Sequence, residues 1–434
     1  MTRVAAVFLS VAIAASTAVA APENRRLSGA DRRYLAGVYK DTWRCLAHFV
    51  SPATGLPYDS SRRLPSTSTT NIGLYMASCA VAAQTRLIRR EEAVERLEKA
   101  LAALEKTEKF LGGFPVTWIH VETLLPTENQ FSTVDHLSNL CGGLLAVKGL
   151  FPEFAARVDK LLLPMEWGLL YDESKGWYRG GWRRDTKDFD VRQNGWEWYY
   201  SFLGADTRLG YFLGTARRMI PMETWMVLNA ARETRNGQSY FVPGWQGGGL
   251  FMQMISGLFL DERDTVLGRS AADFAWAQVV HARKIKAPVW GWSASESADG
   301  SEYLGWDRIL DAVVTPHASG LASIYYPARA AANLRALEKA GARAPWRADG
   351  GRQGLGFRDS VNWRTKEVAP HYLCLDQAMM FLSLANLLHN GVVWNAVAAD
   401  GLVQRGLREI PFYAERDAAH GKMYAERDRD GRRD

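Results

Sequence analysis

Residues 72–87, IGLYMASCAVAAQTRL, and residues 91–110, EEAVERLEKALAALEKTEKF, follow one another closely and read as two different kinds of helix. In the second, Val94, Leu97, Leu101 and Leu104 recur at three- and four-residue steps with Glu and Lys between them, the pattern of a helix with one buried stripe. The first is apolar or small on every side, which suits a helix enclosed by others. The enclosed type returns at residues 137–150, 250–260, 318–337 and 376–388. Thr70-Asn71 before Ile72, Pro152 before Phe154, Pro327 early in its segment and Gly391 just past Leu388 punctuate the helices as caps and breakers do. About ten to twelve helical segments result, and alternating strand patterns are scarce. Amphipathic outer helices alternating with apolar inner ones predict an all-α fold, an α/α barrel.

The chain has 434 residues and a net charge of +6. Its N-terminus, Met1-Thr2-Arg3 followed by an apolar run from Val4 to Ala20 that closes on Ala18-Val19-Ala20, reads as a secretory signal peptide over residues 1–20. The apolar run is short for a membrane span, so a free periplasmic or secreted protein is expected. Residues 21–411 show no linker, fixed-period repeat or charge block and are expected to form a single barrel domain. Residues 412–434 are rich in alternating charge and poor in large apolar side chains, which predicts a disordered tail. Lys and Arg alternate with Glu and Asp along helical faces, which argues against nucleic-acid binding. Cys45, Cys79, Cys141 and Cys374 occur singly and read as small core hydrophobes more readily than as disulfide partners.

The loops carry the chemical signal. Residues 176–182, 195–200, 244–249 and 290–293 set Trp beside Gly, placing Trp182, Trp245, Trp290 and Trp292 where core packing alone rarely asks for them. Indole faces stack on the C–H faces of sugar rings, and Gly lets the backbone come close. Each Trp has a plain reading as a plug or loop brace, but the set favours a sugar cleft. Metal and cofactor signals are weak: His120 with Glu122, and Asp135-His136, lack ligand spacing, so no metal and no cofactor are expected. The stretch 291–295 fails as a serine nucleophile elbow because Ser295 stands where Gly is needed. Glycoside cleavage needs two carboxyl groups, one to protonate the leaving oxygen and one to activate water or attack carbon. Asp206, Glu296, Asp135 and Asp376 stand in suitable settings, although each could serve as a helix cap or loop ion pair.

At these residues the chain resembles a known group. Residues 290–296 (WGWSASE), 314–318 (VTPHA), 356–362 (GFRDSVN) and 375–379 (LDQAM), preceded in order by 69–75 (TTNIGLY) and 132–135 (STVD), look like the glycoamylase-like domain. That domain includes the endo-β-1,2-glucanases of glycoside hydrolase family 144 and resembles the cyclisation domain of cyclic β-1,2-glucan synthases. The resemblance runs from about Tyr39 to Val397. It implies an (α/α)6 barrel that acts on an oligo- or polysaccharide, a β-1,2-glucan foremost, without cofactor. By motif, Asp206 falls on an acid/base Glu and Glu296 near a second carboxylate, which makes these two the expected catalytic pair. Asp135, Trp182, Trp245, Trp290, Trp292, His317, Asp376 and Gln377 are the expected substrate contacts. His120 and the Gly249–Gln253 stretch depart from the synthase pattern. Asp in place of Glu at 206 draws the acid back by one methylene, which favours an inverting spacing. A glycan-binding barrel without turnover and a retaining transglycosylase are the competing functions.

Overall fold

The structure is a computed structural model that describes residues 27–193, 195–244, 248–300, 302–303, 312–343 and 354–429. Its helices, in chain order, are α1 Gly29–His48, α2 Thr69–Gln84, α3 Arg90–Lys106, α4 Val134–Leu150, α5 Ala155–Leu162, α6 Arg208–Ala216, α7 Thr224–Val227, α8 Leu250–Met254, α9 Val266–Lys284, α10 Pro316–Ala322, α11 Pro327–Lys339, α12 Cys374–Leu388, α13 Val392–Ala398, α14 Gly401–Glu409, α15 Pro411–Ala414 and α16 Ala419–Arg429. The even-numbered α2 to α12 form the inner ring of an (α/α)6 barrel. Neighbours α2–α4, α4–α6, α8–α10, α10–α12 and α12–α2 pack directly. Between α6 and α8 the ring closes through Arg208 Nη2, which donates to the Gln253 carbonyl at 2.7 Å.

Burial follows composition. Every residue of α6 and α10 is buried, as is α2 from Thr69 to Ala82, because these helices are enclosed on all sides. The outer α1, α3 and α11 bury one stripe each. In the outer position beside α6 the chain makes only the single turn α7, and α14 returns from the C-terminal region to pack on α6 instead.

Two glycines set the closest inner contact. A Cβ on Gly143 of α4 would lie 2.0 Å from the Gly73 carbonyl oxygen of α2, and one on Gly73 would lie 2.5 Å from Leu140 Cα. Backbone meets backbone there, so no side chain can swing aside. Gly143→Ala is expected to destabilise the barrel by about 1–3 kcal/mol, as overpacking does, despite the higher helix propensity of Ala; a denaturation midpoint equal to the wild type's would refute this.

The tail departs from expectation. Residues 411–414 and 419–429 are helical, with Tyr413 and Tyr424 fully buried. Composition misleads here because the tail's charges find partners on the barrel. The Asp428 carboxylate accepts from the Ala328 and Arg329 N–H groups at 3.1 and 2.9 Å, capping α11, and Arg427 pairs with Asp273 at 2.7 Å. Residues 1–20, read as a signal peptide, lie outside the described residues. Among the described residues no helix is long and apolar enough to cross a membrane, and all four cysteines are buried and unpaired with one another.

Candidate active site

The N-terminal ends of the inner helices meet at one end of the barrel, and the expected polar residues gather there in two groups. The first is built on α4 and α6. Asp135 sits in the first turn of α4, and Asp206 lies two residues before α6. The helices touch closely where Gly210 faces Val134 and Ser138, a Cβ there falling 2.6 Å from each side chain. The turn that carries Asp206 is pinned from inside: Arg208 donates to the Ala205 carbonyl at 2.8 Å and is ion-paired with Glu262 at 2.9 Å, both side chains 1% exposed. Burial, and then the nearby Asp135 charge, push the Asp206 carboxyl up to about 7. Tyr200 completes the group, its hydroxyl donating to Asp135 Oδ1 at 3.0 Å.

The second group is built on α10 and α12. His317 and Asp376 occupy their first turns, with His317 Nδ1 2.8 Å from Asp376 Oδ2 but off the line of a hydrogen bond. Burial lowers the His317 pKa to about 4, so the ring is neutral at pH 7. Burial raises Asp376 to about 7 and, with the Asp376 charge beside it, lifts Asp359 well above the carboxylate range. Asp59, also raised by burial, accepts from Asn71 Nδ2 of α2 at 2.7 Å. Glu296 belongs to this second group: it is ion-paired with Arg62, and its N–H donates to the Asp359 carboxylate. Asp206 thus stands near Asp135, while Glu296 meets Arg62 and Asp359.

These buried carboxyls hold protons in the folded state that the unfolded chain releases near pH 4. Stability is therefore expected to fall as pH rises from about 4 to 7, with His317, whose folded pKa is depressed, opposing this below about pH 6.5. Four raised carboxyls, Asp59, Asp206, Asp359 and Asp376, act against three lowered imidazoles, His317 and the less buried His371 and His389. Between pH 5.5 and 8, Asp376→Asn should lose less of its thermal midpoint than the wild type does, and equal losses would refute this.

Three of the four expected tryptophans are buried. Trp182 packs between Phe110 and Phe189, with ring centroids at 5.4 and 5.1 Å. The backbone of Trp290 is clasped by Asn333, and that of Trp292, whose side chain is fully buried, by Gln278. Gly served there to let neighbouring chain approach: a Cβ on Gly291 would meet the Thr315 carbonyl at 2.9 Å. Trp245 lies outside the described residues. The departures are structural as well, since His120 Nδ1 accepts from its own turn at Glu122 and Thr123, and Met252 is buried in α8.

Gln377 is fixed by its Nε2, which donates to the Phe357 carbonyl at 2.8 Å, while its Oε1 is unmet. Thr69 Oγ1, Asn71 Oδ1, Asn139 Oδ1 and Thr207 Oγ1 are likewise buried without a hydrogen-bond partner among the described residues, all on or beside this end of the barrel. Buried polar atoms left unmet are costly, by about 1–3 kcal/mol each, and a polyhydroxylated ligand brings the donors they need. Among the described residues no three His, Cys, Asp or Glu side chains are arranged to hold a metal ion. Sequence reading missed Tyr200, Asp59 and Asp359 as members of the site. Asp359 stood inside the quoted 356–362 motif, whereas Tyr200 and Asp59 reach the site only through tertiary pairing.

Residues 203–400 match the family model named Glycoamylase and described as "Putative glucoamylase", and residues 38–208 match the one described as "Protein of unknown function (DUF3131)". The C-terminal half of the chain is thus similar to the glycoamylase family. The two matches overlap at residues 203–208, the turn that carries Asp206. The cyclic beta-(1,2)-glucan synthase NdvB of Rhizobium meliloti (strain 1021) is 24% identical over 301 residues, which make up 64% of this chain but only 10% of that protein, so the chain spans about a tenth of that relative's length. The endo-beta-1,2-glucanase of Chitinophaga pinensis, solved as a sophorotriose and glucose complex, superposes with a TM-score of 0.70 at 21% identity, over 89% of this chain and 98% of that one. A "putative glucoamylase" of Bacteroides fragilis NCTC 9343 gives 0.74 at 20% identity, over 89% and 99%. These structural likenesses fix the glycoamylase-like fold as an (α/α)6 barrel.

Proposed function

We propose that this chain is a glycoside hydrolase that cleaves a β-glucan, with β-1,2-linked glucan the favoured substrate, and that Asp206 and Asp135 perform the chemistry. The observation that carries the reading is the pairing of a carboxyl raised to about 7 with a second carboxylate whose oxygen is already hydrogen-bonded by Tyr200. Asp206, protonated below about pH 7, gives its proton to the glycosidic oxygen as the bond from that oxygen to the anomeric carbon breaks. Asp135 takes a proton from the water whose oxygen forms the new bond to that carbon. The products are a reducing-end hydroxyl and the released alcohol, and exchange with solvent returns both carboxyls to their starting states. The names of the Chitinophaga pinensis enzyme and of the Rhizobium meliloti synthase support the β-1,2 linkage.

Export to the periplasm or medium is part of the same reading and rests on Met1 to Ala20. Its test is the N-terminal sequence of the protein recovered from a bacterial host, which should begin at Ala21 in a periplasmic or culture fraction. For the activity, the test is incubation with β-1,2-, β-1,3- and β-1,4-glucans. Reducing ends should appear from the β-1,2-glucan. Calorimetric binding with no cleavage of any of them would instead make the barrel a glycan-binding protein.

A further inference from the structure

We infer that Tyr200 is the positioning residue that divides the roles of the two aspartates, its hydroxyl holding Asp135 as the proton acceptor while Asp206 keeps the proton. The inference deepens the proposed hydrolysis and rests on it for its kinetic form only. Tyr200 is held from three sides. Its strand, Tyr199–Tyr200, pairs with Trp177–Arg179. Its carbonyl accepts from Tyr211 Oη of α6 at 2.6 Å. Its hydroxyl oxygen accepts the Thr133 N–H at 3.1 Å.

With that oxygen committed to an N–H donor, the phenolic proton is free to point in one useful direction, and Asp135 Oδ1 receives it at 3.0 Å. The His136 N–H reaches the same oxygen at 2.9 Å. Two donors therefore fix the position of that oxygen. Asp206 receives backbone N–H groups, that of Thr207 among them, and among the described residues no side-chain hydrogen bond reaches it, Arg208 being committed to Glu262 and to two carbonyl groups. The other titratable group close by, His136 of α4, has Nδ1 2.9 Å from Thr70 Oγ1. Burial keeps the Tyr200 hydroxyl protonated far above neutral pH, so it acts as donor throughout the working range. Burial keeps the proton on Asp206, and the Tyr200 phenol fixes the Asp135 oxygen that faces it as acceptor.

The test is the pH profile of Tyr200→Phe. That variant keeps the ring, the strand pairing and the carbonyl that Tyr211 grips. On β-1,2-glucan, kcat should fall about 10- to 100-fold with KM little changed, and the acid limb of the kcat/KM profile should move up by about one pH unit. Site-specific 3-fluorotyrosine, a stronger donor of the same shape, should move that limb down, and it serves also if the Phe variant does not fold. A merely structural role would lower activity and move neither limb.

The same shift is read without substrate by carbon-13 titration of labelled aspartate carboxyls, the Asp135 signal being the one lost in Asp135→Asn. If that signal titrates alike in wild type, Tyr200→Phe and the fluorotyrosine protein, the inference fails even where glucan is cleaved. If the signal shifts as expected but no glucan is cleaved, it is the hydrolase reading that fails.

Discussion

Asp206→Asn is expected to lower kcat/KM on the cleaved glucan about a thousandfold while raising thermal stability at pH 8. The first effect follows from the loss of the proton donor, since a positioned general acid contributes about 10²- to 10⁴-fold. The second follows from burial. The carboxyl is raised to about 7, so at pH 8 the folded protein must hold a buried charge beside Asp135 that the unfolded chain carries in water. Asn carries no charge and removes that cost. Above the folded pKa the wild-type acid also loses its proton, so wild-type activity should decline through pH 7 on its alkaline side. Activity and melting curves at pH 6 and 8 test both halves; an Asn variant that remained active, or that melted lower at pH 8, would remove Asp206 from the acid role.

Glu262→Gln is expected to cost about 3–5 kcal/mol, as breaking a buried ion pair does. Glu262 accepts from Arg208 and from Tyr413 Oη, the latter at 2.8 Å, and both members of the ion pair are 1% exposed. Removing the negative charge strands the guanidinium in the core. An exposed pair such as Lys99–Glu95 in α3 contributes only about 0.3–0.5 kcal/mol. Because Arg208 also grips the Ala205 and Gln253 carbonyls, the Asp206 turn loosens with it, and kcat should fall together with stability. Chemical denaturation measures the first effect directly. A loss below about 1 kcal/mol would show that the pair's desolvation cost cancels its attraction and that packing alone holds the turn.

The fate of individual residues shows where sequence reading succeeds. Asp135, Asp206, His317 and Asp376 were singled out as chemistry beside helix starts, and each does stand in or next to the first turn of an inner helix. Trp182, Trp290 and Trp292 were singled out by the same kind of reasoning and are core residues. The difference lies in what neighbours do. A carboxylate at a helix start is placed by that helix, so local sequence locates it. An indole beside Gly faces either a ligand or a neighbouring chain, and only the neighbour decides. Phe110, more than seventy positions from Trp182, makes that decision there. The tail failed for a similar reason: Asp428 reads as one more solvated charge until the α11 N–H groups, about a hundred residues away, are set beside it.

By itself, then, the sequence determined the helical class, the split into enclosed and one-sided helices, and the inner-helix starts that carry the acids. These are properties of periodicity and caps, which act within a few residues. Tertiary structure alone decided that Asp135 stands near Asp206 while Glu296 meets Arg62 and Asp359, that the Tyr200 hydroxyl reaches Asp135, and that the tail docks. Each of those depends on segments dozens of residues apart meeting at a few ångströms, where burial strengthens charges and hydrogen bonds, and no spacing along the chain encodes that distance.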